Sequence, residues 1–142
     1  MPCCPQQFLQ QLADAFRAGR LDDIADSFAY PMPFYACGGM VVFGSTATLA
    51  EALALYRDAS IVAGVDRIVP RIVAQGIMIR GYANMWVEWD HLDAKGTCLR
   101  TSQVRYVFFQ ADGMPAPVIE MVDYTVQAFP DLNAQLPLAR TA

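Results

Sequence analysis

Apolar residues recur at helical spacing near the start of the chain. Phe8, Leu9, Leu12, Ala15 and Phe16 predict a first helix that Pro5 opens and Gly19 ends. A shorter second helix fits 21–28, with Leu21, Ile24 and Phe28 on one face. Asp22, Asp23 and Asp26 lie off that face and suit a solvated surface near a helix N-terminus. The stretch FAYPMPFY (28–35) then breaks the pattern. Pro31 and Pro33 push Tyr30 and Met32 away from helical dihedrals, so the helix ends there. A short hairpin follows: a strand from Phe34, a turn at CGGM (37–40) and a returning strand at VVF (41–43). Pro33 offers no N–H, which predicts an edge position or a strand that begins just after it. Thr48 and Glu51 have capping-box spacing, and Leu49, Ala52, Leu53 and Tyr56 form the apolar stripe of a third helix that stops before Gly64.

From residue 66 the period falls from helical to two. The segments 67–79, 82–92, 97–110 and 117–129 are rich in β-branched and aromatic residues, and RGY, DAKG and ADGMP separate them. They predict four long strands in an antiparallel meander; the tail from residue 130 is expected to be irregular. Helices early and strands late are the mark of an α+β domain. The expected architecture is a curved, cone-shaped antiparallel sheet of six strands packed against three N-terminal helices, enclosing a pocket in one domain over residues 1–142.

Alternation assigns side chains to the two faces. A type I turn at DAKG with a bulge at Gly96 would pair Leu92 with Thr97, Trp89 with Arg100, Val87 with Ser102 and Ala83 with Tyr106. One face then carries Met85, Val87, Trp89, His91, Cys98, Arg100, Ser102, Val104, Tyr106 and Phe108; it is the more apolar and is expected against the helices. The other carries Tyr82, Asn84, Trp86, Glu88, Asp90, Thr101, Gln103, Arg105 and Val107, a polar surface with aromatic patches of the kind found at subunit interfaces. On the last strand Ile119, Met121 and Asp123 share a face, which is assigned inward.

Composition narrows the functional classes. The chain of 142 residues is 55% apolar and 17% charged, an excess that needs a large core, a lined cavity or an interface. A net charge of −4 with scattered Lys and Arg argues against nucleic acid. No run of about 20 apolar residues is present, and MPCCPQQFLQQ lacks the basic start and apolar block of a secretory signal, so a cytoplasmic location is expected. Cys3, Cys4, Cys37 and Cys98 are expected to remain thiols.

EWDH (88–91) resembles a metal cluster until it is laid on a strand, where Glu88 and Asp90 point one way and His91 the other. With one His in the chain, no metal site is expected. Cys98 stands opposite His91 in the predicted pairing, a weak hint of a nucleophile. A cross-strand stack of Trp89 with Arg100, with His91 at a rim, is the structural alternative.

The element order over about residues 6–127, with AGRLDDIADSFAYPMPFY, VEWDHLDAKG and SQVRYVFF followed by VIEMVDYT, resembles the nuclear transport factor 2-like superfamily. Within it the chain is most similar to the SnoaL-like polyketide cyclase and ketosteroid isomerase-like branch. The resemblance implies that Tyr30, Phe34 and Tyr35 line or roof the pocket, together with Phe16, Tyr56 and the inward residues of the long strands, including Ile119 and Met121. It implies a homodimer through the convex face of Tyr82, Trp86, Glu88, Gln103 and Arg105. A small apolar or aromatic ligand is the expected partner, without a cofactor. If the domain is an isomerase, cyclase or dehydratase, the resemblance implies Asp123 or His91 as the base and Tyr35, Tyr106 or Arg100 as the donor to a carbonyl compound. A non-catalytic dimeric interaction module is the third possibility.

Overall fold

The computed structural model describes residues 4–36 and 38–128. Three helices, α1 (Pro5–Ala18), α2 (Leu21–Ala25) and α3 (Thr46–Val62), pack on one face of a six-stranded sheet. The strands are β1 (Met32–Ala36), β2 (Gly39–Phe43), β3 (Arg67–Gln75), β4 (Tyr82–Leu92), β5 (Cys98–Phe109) and β6 (Val118–Val126). Their order is β2-β1-β6-β5-β4-β3, and the sheet does not close into a barrel. The α+β class, the three helices and the meander match the sequence reading. The expected all-antiparallel sheet is corrected, because β1 joins β6 in parallel and the sheet is mixed.

Helix ends follow local chemistry. Pro5 occupies the first turn of α1, and Gly19 caps it at φ 76°, a left-handed conformation that glycine adopts without strain. Phe8, Leu9, Leu12, Ala15 and Phe16 are buried on the sheet side. The second helix is shorter than expected and ends at Ala25. The third starts one turn before the predicted cap: Ser45 is the N-cap, and its side chain and that of Thr48 form the reciprocal box.

The FAYPMPFY junction lies along β6. Phe28 bridges Ile119, and Ala29 N–H donates to Ile119 O at 2.9 Å. Pairing resumes only at Phe34 opposite Val122 and runs to Ala36 opposite Tyr124. Pro31, which follows a cis peptide bond, and Pro33 both fall in the gap between these two stretches. Strand β1 is therefore interior rather than an edge. It tolerates Pro33 because the ladder to β6 begins one residue later.

In the β4–β5 hairpin Asp93 N–H donates to Thr97 O, Leu92 pairs with Cys98, and Leu99 is bulged out so that His91 pairs with Arg100. Trp89 then faces Ser102, Val87 faces Val104 and Met85 faces Tyr106. The predicted register is two residues out over most of the hairpin. A two-residue slip restores the original face, so Met85, Val87, Trp89, His91, Ser102, Val104, Tyr106 and Phe108 are all buried as assigned. Arg100 is exposed, and Cys98 leaves that face altogether. It precedes the bulge, and its Sγ lies beside Asp90 and Thr101 on the outer face.

A bulge at Glu120 has the opposite effect on β6. Ile119 pairs with Phe108 and Met121 with Val107, so Met121 to Tyr124 change face before a second bulge at Thr125. Val122 and Tyr124 turn inward, while Met121 and Asp123 turn outward. Strand β3 ends at Gln75, short of the predicted 79, and leaves Ile77, Met78 and Ile79 exposed in the connection to β4.

Candidate functional site

Between the helices and the inner sheet face lies a cavity of about 120 Å³. Its walls are apolar side chains from α1, α2, α3 and the hairpin, among them Leu12, Ile24, Met32, Phe43, Leu49 and Leu53. Phe16 meets Tyr56 edge-on at 5.5 Å, and Phe34 meets Phe43 and Tyr124 at 5.7 and 5.3 Å. The polar residues of the lining, among the described residues, are Tyr56, Trp89, Tyr106, Tyr124 and Gln127.

Trp89 organises the polar part. Its indole Nε1–H donates to the Tyr106 hydroxyl at 2.9 Å. Tyr124 lines the same cavity as Tyr106. The Trp89 carbonyl is 3.1 Å from His91 Nδ1, and His91 Nε2 is 2.5 Å from the Tyr56 hydroxyl. A carbonyl can only accept, so the network assigns the imidazole proton to Nδ1 and makes Nε2 the acceptor for Tyr56.

Burial dominates the electrostatics. It pushes Tyr56 and Tyr106 well above the ordinary tyrosine range, with the neighbouring Tyr124 adding to both. It pushes Tyr124 up to about 12, opposed by the nearby Tyr106 hydroxyl. It holds His91 below the usual imidazole value, against the Trp89 and Arg100 carbonyls, which favour the charged ring. All four groups are neutral at pH 7. Ser102, 1% exposed, faces the Tyr56 hydroxyl and moderates its rise, yet its own Oγ completes no hydrogen bond within normal geometry.

The structure sorts the sequence candidates. Phe16, Phe34, Tyr56, Trp89 and Tyr106 line the cavity. Met85, Val87, Ser102 and Ile119 are buried in the surrounding core but off its lining, and half-buried Tyr30 donates to Ala25 O at 2.7 Å. Tyr35 is 40% exposed. Arg100 does not stack on Trp89; it is exposed and its guanidinium donates to Ala128 O at 2.7 Å. His91 is not at a rim but fully buried behind Tyr56. Asp123 is on the outer face, 3.6 Å from Arg105, because of the bulge at Glu120. Tyr124 and Val122 are the lining residues that alternation missed for the same reason.

On the outer face Glu88 and Asp90 both bind Arg71, at 2.5 and 2.6 Å. That pairing lowers the Asp90 pKa and raises that of Arg71. Glu88 and Asp90 thus point away from His91, and EWDH does not converge.

No protein-family model matches the sequence, and no curated protein matches it. Solved structures do. A nuclear transport factor 2-like protein of unknown function from Shewanella oneidensis MR-1 is 18% identical, with a TM-score of 0.60 over 83% of this chain and 93% of that one. This is the nuclear transport factor 2-like fold. The protein Aln2 from a Streptomyces species shares it at 12% identity, with a TM-score of 0.63 over 95% of this chain and 99% of its own. A Catenulispora acidiphila protein, solved in complex with S-DNPA, has a TM-score of 0.60 at 14% identity over 84% of this chain and 89% of its own. In the nuclear transport factor 2-like fold of this chain, the inner sheet face and the three helices bound the cavity.

Proposed function

We propose that this chain is a small-molecule-binding domain whose ligand is a small apolar or aromatic compound. The cavity carries the reading: apolar walls and a short polar stretch, buried between sheet and helices. Its volume is close to that of an engineered cavity of about 150 Å³ that takes up benzene, and well under the roughly 300 Å³ at which drug-sized sites begin. The Catenulispora acidiphila neighbour, solved with a small molecule, supports a ligand role for this chain. Binding is favoured over acid–base turnover because no carboxylate lines the cavity among the described residues, and His91 stands behind Tyr56.

Titration with toluene, followed by NMR, tests the reading. Saturable shifts at Trp89 and Tyr106 are expected, and they should vanish in Ala52→Met, which fills the space. Unsaturable or scattered shifts would refute it.

The convex face supports a second element of the proposal, a homodimer. Tyr82 and Trp86 are 45% and 41% exposed on the face that also carries Glu88, Gln103 and Arg105. Sedimentation should show a dimer that Trp86→Glu dissociates; an unchanged species would remove this interface. No helix among the described residues is long and apolar enough to cross a membrane. The exposed thiol of Cys98 suits the reducing cytoplasm, where we place the protein.

A further inference from the structure

We infer that the cavity selects a neutral single-ring ligand carrying a hydrogen-bond acceptor, and that the Tyr106 and Tyr124 hydroxyls supply the proton this acceptor takes. The inference rests on the pocket reading and adds to it the polar group that the ligand carries.

In one part of the lining the protons outnumber the places to put them. Trp89, Tyr106 and Tyr124 line the cavity together. An indole N–H can only donate, and Trp89 Nε1–H lies 2.9 Å from the Tyr106 hydroxyl, so that oxygen is an acceptor. Both residues are buried. The three groups hold three protons, one on the indole and one on each hydroxyl, against two oxygens that can accept. Among the described residues, no carbonyl or carboxylate accepts from either hydroxyl. If Tyr106 turns its proton to Tyr124, the Tyr124 proton is left over. If Tyr124 turns its proton to Tyr106, the Tyr106 proton is left over. If neither does, both are left over. Every rotation of the two hydroxyls therefore leaves at least one O–H in the lining without an acceptor.

A buried donor without an acceptor is costly, and a ligand that brings an acceptor removes that cost. Burial raises both tyrosines, so the protons stay in place at neutral pH. The acceptor is neutral as well. A carboxylate would bring a charge into a lining that, among the described residues, holds no Lys, Arg or His to receive it. A carbonyl, an ether or a nitrile meets the requirement; a plain hydrocarbon does not. The volume of about 120 Å³ limits the rest of the molecule to about one ring.

Benzonitrile, toluene and benzoate, each titrated by NMR into the parent chain and into the double variant Tyr106→Phe with Tyr124→Phe, test this. The double substitution should weaken benzonitrile by about fivefold to tenfold, the worth of one neutral hydrogen bond. Toluene should bind both proteins alike, which also reports that the variant retains the cavity. Benzoate should not bind. The infrared spectrum of benzonitrile bound to the parent needs no variant: its nitrile stretch should lie at higher frequency than in an apolar solvent, the mark of a donated proton. If the double variant loses toluene too, this band decides alone. A nitrile stretch at its apolar-solvent position overturns the inference and leaves the pocket reading standing. So does a double variant that binds benzonitrile and toluene as the parent does, or benzoate binding as tightly as benzonitrile. Failure of both toluene and benzonitrile to bind the parent overturns both readings.

Discussion

The hydroxyl of Tyr56 on α3 stands 2.5 Å from Nε2 of His91 on β4, so helix and sheet are tied by a hydrogen bond inside the core. His91 is fully buried, and its imidazole has no access to water as a substitute partner. Tyr56→Phe should cost about 1–3 kcal/mol, the penalty for stranding a buried acceptor rather than the smaller net worth of the bond. Urea unfolding checks this. A loss under about 0.5 kcal/mol would mean that Nε2 finds another donor.

Stability should also fall as pH drops below neutrality. Burial holds the folded-state pKa of His91 beneath the ordinary value, so between the two values the unfolded chain binds more protons than the folded one. Stability is then complete above about pH 6.5 and is lost as pH falls toward the folded value. Thermal melts from pH 7.5 to 5 should show the decline, and His91→Phe should flatten it. A wild-type curve that stays level would contradict a neutral buried imidazole.

The tyrosines give the alkaline counterpart with the opposite sign. Tyr56 and Tyr106 are raised by burial, and Tyr124 is pushed up to about 12. Their protons are held more tightly in the folded state, so stability is intact below pH 10 and drains away as pH rises beyond it. Tyrosinate absorbance should show Tyr56, Tyr106 and Tyr124 ionising only as the chain unfolds. Early ionisation of all of them would contradict their burial.

Asp123→Ala should be nearly silent. Its carboxylate sits 3.6 Å from Arg105 on the outer face, each about one-third exposed, a pairing worth under about 1 kcal/mol. Toluene affinity in this variant should equal that of the parent. A marked loss would put Asp123 back in contact with the cavity.

Gly81→Ala should destabilise more than its surface position implies. Gly81 has φ +86°, and a Cβ there would lie 2.9 Å from the Phe109 ring and 3.1 Å from Gln110 O. The left-handed backbone alone costs about 1–2 kcal/mol for a side-chain-bearing residue. A melting temperature within a degree of the parent would show that the turn reshapes freely.

What the sequence displayed, and what it concealed, divides along bulges. Helical and strand periods were visible because burial imposes them, and Trp89, Tyr106 and Tyr56 were placed inward on that basis alone. The β4–β5 register was wrong by two, and the faces survived because the side-chain period is also two. At Glu120 a single extra residue reversed the assignment, hiding Tyr124 and promoting Asp123. Nothing local in VIEMVDYT marks that bulge; it arises from how β6 fits β5. The parallel pairing of β1 with β6 is likewise a long-range outcome, although the prolines at 31 and 33 did mark where pairing would lapse.

The strand order carries a consequence for how the chain assembles. β6, the last of the six strands to leave the ribosome, is flanked on both sides, by β1 and by β5. Until it emerges, the early hairpin and the meander have no common border, and the two parts of the sheet wait as separate pieces. Synthesis halted before Val118 should therefore yield fragments that expose apolar faces to chaperones, with the cavity forming only in the final step.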